Sequence, residues 1–130
     1  MSITHTHVAS VLTPGRNASA SFAITDNQET VTDVVVAASQ TDYQVDTFDV
    51  VVARLKSLFI VSDQDVTIEV NSAAGSGGSF ALKANKPLAW YTGSYYACPF
   101  TVDVTSLYFT TGAIAASANI QLVALVDPTP

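Results

Sequence analysis

Charged residues are scarce in this sequence, and basic ones are the scarcest. Charged side chains make up 12% of the 130 residues, about half of the ~25% found in an ordinary soluble domain. Five Lys and Arg residues stand against eleven Asp and Glu residues, which gives a formal net charge of −6. A chain without a basic patch is not expected to bind a phosphate backbone, and an acidic surface disfavours anionic membranes. The charge balance therefore predicts neither nucleic acid nor membrane as a partner.

Catalytic signatures are also missing. The only cysteine, Cys98, excludes an internal disulfide and is expected to be a small, buried apolar residue. The sequence contains no glycine-rich phosphate loop, no nucleophile elbow of the hydrolase type and no paired metal-binding cysteines. We therefore predict a protein that is not an enzyme and needs no cofactor, with no catalytic, cofactor-binding or metal-binding residue assigned.

Long apolar runs are absent as well. No segment approaches the ~18 consecutive apolar residues of a transmembrane helix. Residues 1–5, MSITH, lack the basic and apolar regions of a signal peptide. We therefore expect the protein to be made in the cytoplasm, and either to stay there or to be assembled there.

What the sequence does contain is a series of short apolar or alternating runs separated by turn residues. Hydrophobic residues make up 48% of the chain, and Ala, Val, Thr and Ser dominate. This pattern predicts one all-β domain over residues 1–130, an antiparallel, jelly-roll-like β-sandwich. Residues 1–12 are predicted to be an N-terminal arm or an edge strand. The predicted strands are 3–12, 18–25, 31–38, 42–47, 58–62, 66–71, 80–83, 88–92, 107–111 and 118–127; segment 48–55 fits a strand or a single helical turn.

Alternation within these runs predicts which side chains face the core. The turn residues Asp63, Gln64 and Asp65 predict a hairpin over residues 58–71. A calcium loop at this place would lack the required glycine and enough oxygen ligands. The predicted core side chains are Phe22, Ile24, Leu58, Ile60, Ile68, Val70, Leu107, Phe109, Ile120 and Leu122.

Two small groups of side chains are candidates for a site. His5 and His7 place two imidazoles on one face of a strand, a spacing that can bind zinc or copper. No Cys or carboxylate is close to them in sequence, so a solvated N-terminal segment is the preferred interpretation. A cupin-type enzyme that uses the two histidines is the remaining alternative, although its ligands would normally lie on two separate strands.

The second group is the most distinctive local feature, four aromatic residues within seven positions. Trp90, Tyr91, Tyr95 and Tyr96 could form a sugar-stacking platform or a contact with a protein partner. In the alternative interpretation, Trp90 points into the core and the tyrosines line the rim. We take these four residues as the candidate partner contact.

Three segments resemble small virion proteins of tailed bacteriophages, of the head decoration or cement type. They are IVSDQDVTIEVN at 60–71, LKANKPLAW at 82–90 and VTSLYFT at 104–110. The resemblance extends over residues 45–127 and rests on β patterns rather than on chemical signatures. It implies a β-sandwich or jelly roll on the outer capsid surface, which bridges major capsid subunits, often as a dimer or trimer. No catalytic residues come with it.

The expected function is therefore that of a non-enzymatic decoration protein that binds and stabilises a capsid shell. Its partners would be the major capsid protein and neighbouring copies of itself, and it would reside on the virion after synthesis in the host cytoplasm. The two chain ends, residues 1–7 and 126–130, are expected to reach a neighbouring subunit as arms. The alternative function is a carbohydrate-binding or host-recognition module of a phage tail or fibre.

Overall fold

Eight of the ten strands form two four-stranded antiparallel sheets that pack against each other. The computed structural model describes residues 2–129. The first sheet has the strand order β3-β10-β5-β8, and the second has the order β4-β9-β6-β7. The strands are β1 (Ile3–Thr13), β2 (Arg16–Asp26), β3 (Gln28–Val36), β4 (Tyr43–Val45), β5 (Leu55–Ser62), β6 (Val66–Val70), β7 (Ser79–Leu82), β8 (Leu88–Tyr91), β9 (Leu107–Thr110) and β10 (Ala118–Val126).

The path of the chain is that of a jelly roll. From β3 to β10 the chain changes sheet at every connection except the one between β6 and β7, which are paired neighbours. Eight strands distributed in this way over two sheets define the jelly-roll architecture. The predicted all-β, jelly-roll-like sandwich is confirmed.

Helix is almost absent from the described residues. The ambiguous segment 48–55 contains a single 3₁₀ turn, Val52–Arg54, preceded by an isolated bridge between Val50 and Val104. Within residues 2–129 there is no helix of the length and apolarity that crossing a membrane would require.

The core lies between the two sheets and is built from the alternating inward positions of both. Phe48, Phe100 and Phe109 are its largest fully buried side chains. Eight of the predicted core residues are buried there: Leu58, Ile60, Ile68, Val70, Leu107, Phe109, Ile120 and Leu122.

Phe22 and Ile24 are the exceptions, and their prediction as core residues is wrong. Phe22 is 43% exposed and Ile24 is only half-buried. Both belong to β2, which pairs only with β1 in a separate two-stranded sheet. Their alternation is real, but the face that they share packs on the outside of the sandwich and not within it.

The predicted hairpin at 58–71 is also wrong. β5 lies in the first sheet and β6 in the second, so the turn between them carries the chain around the edge of the sandwich. Asp63 accepts hydrogen bonds from the backbone and side-chain amides of Asn119, both at 2.8 Å. Asp65 accepts one from the backbone N–H of Ala84 at 2.9 Å. These bonds lower the pKa of both carboxyl groups, and they tie the turn to other segments of the chain.

Candidate functional site

A β-hairpin formed by β1 and β2 lies on the outer face of the first sheet. Each strand has eleven residues, and they pair in register from Ile3 and Asp26 to Thr13 and Arg16. A tight turn at Pro14 and Gly15 joins the two strands. Pro14 fixes φ at the first turn position, and the φ of +81° at Gly15 suits the second position of a type II turn.

The base of the hairpin covers one row of side chains across the sheet. Glu29, Leu125, Ser57 and Tyr91 are cross-strand neighbours on β3, β10, β5 and β8. They point away from the core between the sheets, yet Leu125 and Ser57 are fully buried. The burial of both comes from the hairpin that lies over them.

Two histidines fasten the hairpin to this row. His5 Nδ1 lies 2.9 Å from Ser57 Oγ, and His7 Nε2 lies 2.6 Å from the same oxygen. His5 Nε2 lies 2.8 Å from a carboxylate oxygen of Glu29. The expectation that the histidines belong to a solvated segment is therefore wrong, since they anchor β1 to the sheet.

We call the hydrogen-bonded group of His5, His7, Ser57 and Glu29 the clamp. Its hydrogen bonds are all satisfied when both imidazoles are neutral. The Glu29 carboxylate accepts from His5 Nε2–H, which leaves His5 Nδ1 as an acceptor. The Ser57 hydroxyl then donates to His5 Nδ1 and accepts from His7 Nε2–H. The network defines one tautomer for each ring and orients the whole base of the hairpin.

Aromatic contacts extend the clamp to the edge strand β8. The ring of Phe22 stacks on that of Tyr91, with centroids 4.6 Å apart and planes 11° from parallel. The ring of His7 also contacts Tyr91, at 4.9 Å. Since His5 touches β3 and β5 while His7 and Phe22 touch β8, the hairpin crosses the sheet from the β3 side towards the β8 side.

The distal part of the hairpin continues past β8, and we call residues 8–21 the arm. Every residue of the arm is exposed. Its six residue pairs correspond to a ribbon ~20 Å long. Val8, Val11 and Leu12 are 70%, 66% and 79% exposed. An isolated two-stranded ribbon is marginally stable in water, so these exposed apolar side chains make the arm a candidate binding element.

The arm shares only residues 8–12 with the segment 1–12 that the sequence predicts as an arm or an edge strand. Residues 1–7 were expected to extend to a neighbour, but Ile3–His7 is paired with β2 and fastened to its own sheet. At the other end, Val126 belongs to β10 and Asp127 donates its backbone N–H to the carbonyl of Arg54. Met1 and Pro130 lie outside the described residues.

A groove separates the start of the arm from β8 and the loop that follows it. Its volume is about 660 Å³, within the range of small-molecule sites. Ala9 and Ala20 line it from the arm, and Phe59 and Ala89 line it from the sheet. Three of the four predicted aromatic contacts also line it: Tyr91, Tyr95 and Tyr96.

Trp90 takes the other role considered for it. It neighbours Leu58 on the inward face of the first sheet and packs against the core. Its indole N–H donates to the carbonyl of Tyr96 at 3.1 Å. Trp90 thus stabilises the loop that carries Tyr95 and Tyr96. These two tyrosines are 94% and 74% exposed, and their rings form a T-shaped pair.

The order Ser57, His5, Glu29 resembles the nucleophile, base and acid of a hydrolase, but the geometry differs in three respects. In a serine triad the hydroxyl contacts Nε2 and the carboxylate contacts Nδ1, and here the nitrogens are used the other way round. Ser57 is fully buried, and its oxygen is shared with His7. The arrangement suits a structural clamp.

No group of three or more His, Cys, Asp or Glu side chains within residues 2–129 could hold a metal ion. Cys98 packs against the core, and burial raises the pKa of its thiol, which disfavours the reactive thiolate. Cys98 was predicted to be buried, and the structure places it against the core but only partly buried.

Acid is expected to loosen the base of the hairpin. Burial, and secondarily the charge of His5, lower the pKa of His7 below its ordinary value of 6.5. Because the folded state binds this proton less readily than the unfolded chain, the stabilisation is complete above pH 6.5 and is lost as the pH falls through the folded-state pKa. Amide hydrogen exchange in β1 and β2 should accelerate between pH 7.5 and pH 5, after correction for intrinsic rates.

The control for this prediction is His7→Gln, whose amide can donate to Ser57 without titrating. It should flatten the pH dependence of exchange in the hairpin. An unchanged dependence in this variant would assign the effect to another group.

Sequence reasoning found the aromatic cluster but missed the clamp. Ser57 and Glu29 are an ordinary serine and an ordinary acid in β strands, and only the fold brings them to His5. In comparisons with family models, with curated proteins and with solved structures, nothing matches this chain.

Proposed function

We propose that the protein is a non-enzymatic structural protein that binds other protein subunits through its arm. The observation that carries this proposal is a ribbon of fourteen exposed residues held at a fixed angle by the half-buried clamp. A simple connection between two strands needs only a short turn. It would need neither the length of the arm nor the exposed side chains of Val8, Val11 and Leu12. The clamp fixes the orientation of the arm before binding, which reduces the ordering cost of association.

The partner that we propose is a capsid shell, with the protein acting as a decoration protein of a tailed bacteriophage on the virion surface. Support comes from the sequence resemblance described above and from the jelly-roll architecture, which recurs in viral capsid proteins as well as in lectin domains. Each copy needs to bury only ~800 Å² against its neighbours, because many copies on a lattice act together.

Removing the arm should abolish shell binding and leave the sandwich folded. In the variant, residues 8–21 are replaced by Asn-Gly, which joins His7 to Phe22 through a two-residue turn. The unfolding midpoint should change little, because the arm contributes nothing to the core. Mixed with shells that lack the protein and then heated, the parent should raise the temperature of shell disruption and the variant should not.

The matched control is Tyr95→Ala with Tyr96→Ala, which alters the groove and leaves the arm intact. If the arm-deleted variant binds shells as well as the parent does, the arm is not the binding element. If the parent neither binds shells nor stabilises them, decoration is the wrong function.

The groove supports a second candidate, binding of a carbohydrate. Exposed tyrosines beside an apolar cleft can stack on sugar rings, and Tyr91, Tyr95 and Tyr96 are arranged in this way. A glycan array should then show binding by the parent and a loss of binding in the Tyr95→Ala, Tyr96→Ala variant. If the parent binds no glycan on the array, the groove is not a carbohydrate-binding site.

A further inference from the structure

The two edges of the first sheet are complementary to each other. The strand order places β3 at one edge and β8 at the other, and the arm leaves the molecule over β8. On the outer face of β3, at the far edge, Val31 is 51% exposed and Val35 is 63% exposed. A second copy placed beside the first, with β3 next to β8, would therefore offer an apolar strip to the arm.

The arm presents a matching apolar face. Ala9, Val11, Ala18 and Ala20 share one side of the ribbon, the same side that carries His5 and His7 at the base. The small alanines allow close approach, and Val11 stands out from them at 66% exposure. The strip on β3 and this face of the arm are both uncovered within one copy.

Charge is complementary as well. Arg16, at the tip, is the only charged residue of the arm, whereas the outer face of β3 carries Glu29 and Asp33. Glu29 is engaged by His5 of its own chain. Asp33, between Val31 and Val35, forms no ion pair among residues 2–129, and neither does Arg16. In a second copy, Asp33 would find a basic partner and Arg16 an acidic one.

The contact of the arm is one part of the interface between two copies. The ribbon is ~20 Å long, and the face that would lie on β3 carries Ala9, Val11, Arg16, Ala18 and Ala20. The adjoining edges of β3 and β8 would add to this contact towards the ~800 Å² per partner that a stable interface buries. Every copy has both an arm and a β3 strip, so each can donate one contact and receive one. Such a head-to-tail interface gives a ring when its rotation closes.

We propose that the arm of each copy lies on the outer face of β3 of a second copy, with Val11 against Val31 and Val35 and with Arg16 beside Asp33. The proposal rests on the arm being a binding element, as in the proposed function, and it names a second copy of this chain as the occupant of the arm. It concerns the purified protein alone, and its test therefore needs no shell.

The first test is the mass of the full-length protein in solution, measured by analytical ultracentrifugation over a range of concentrations. The parent should form a discrete oligomer. Arg16→Glu and Asp33→Arg should each weaken association by about tenfold or more, because like charges meet across the contact. The double variant should recover most of the parent's affinity. Both positions are exposed, so folding is not at risk.

The matched control for charge is Glu69→Arg, on β6 of the opposite sheet. It should leave association unchanged and should not rescue Arg16→Glu. The control for the apolar strip compares Val31→Thr and Val35→Thr, which should weaken association, with Val51→Thr, which should not. Val51 is 43% exposed, similar to Val31, but lies outside β3.

A cross-link tests which surfaces meet. In a Cys98→Ala background, Val11→Cys and Val35→Cys variants are mixed and oxidised with copper phenanthroline. A covalent dimer should form quickly in this mixture, and slowly when Leu12→Cys, on the opposite face of the arm, replaces Val11→Cys.

A protein that stays monomeric at all concentrations overturns the proposal, and so does an oligomer that shows neither charge rescue nor the Val11–Val35 cross-link. If such a protein still binds shells through its arm, the proposed function stands and the occupant of the arm is the shell alone. If the oligomer forms as proposed but shells are neither bound nor stabilised, decoration fails and the self-association stands.

Discussion

Replacing Phe109 with alanine is expected to lower the free energy of unfolding by about 3–5 kcal/mol. Phe109 is fully buried at the centre of β9, between Tyr43 of β4 and Ile68 of β6. Its ring also fills space between the two sheets, so its removal leaves a cavity that rigid neighbouring strands cannot close. Urea unfolding followed by the fluorescence of the single tryptophan, Trp90, measures the loss.

Phe22→Ala is the matched control, because sequence alternation placed both phenylalanines in the core. Phe22 is 43% exposed and packs mainly on Tyr91, so its loss should cost about 0.5–1.5 kcal/mol, the usual value of an aromatic pair. Equal losses for Phe22→Ala and Phe109→Ala would mean that the hairpin contributes to the core as much as β9 does.

The contrast between these two residues shows what alternation in a strand can predict. Alternation tells which side chains share a face, and for β2, β5, β6, β9 and β10 those faces are correct. It does not tell whether the shared face packs between the two large sheets or on the outer face of one of them. Which surface the shared face packs on depends on contacts between residues that are distant in the sequence.

For a related reason, local sequence signals could not predict which strands pair. A short turn rich in Asp predicts a hairpin when both flanking strands have one polar face. In a jelly roll the same turn connects strands of different sheets, and the carboxylates of Asp63 and Asp65 bind Asn119 and Ala84 instead. Only the partners of the turn distinguish the two outcomes, and those partners lie more than fifteen residues away.

The candidate site was predicted in part. The cluster of aromatics within residues 90–96 is a local feature, and three of its members line the groove. Trp90 and Tyr91 are adjacent in a strand and therefore point to opposite faces, which separates their roles. The anchoring of His5 and His7 by Ser57 could not be predicted, because about fifty residues separate them in sequence and a buried serine carries no signature.

Leu125→Ala is expected to release the hairpin, whereas Leu122→Ala is expected to weaken the sandwich. Both leucines lie in β10 and both are fully buried. Leu122 faces the core between the sheets, next to Ile60. Leu125 faces outward between Glu29 and Ser57, the two residues that His5 bridges. Either change should cost about 2–5 kcal/mol, the usual range for a buried leucine.

The difference between the two variants lies in which part of the molecule opens. Without Leu125 the docked hairpin loses the apolar contact beneath its base, and a ribbon that leaves the sheet is too weak to protect its own amides. Amide hydrogen exchange in β1 and β2 should therefore accelerate by more than about tenfold, because each 1.4 kcal/mol corresponds to a factor of ten. In Leu122→Ala the same amides should keep their rates while the global unfolding midpoint falls. Equal acceleration in both variants would mean that the hairpin and the sandwich open as one unit, and no acceleration in Leu125→Ala would mean that the hairpin does not rest on this residue.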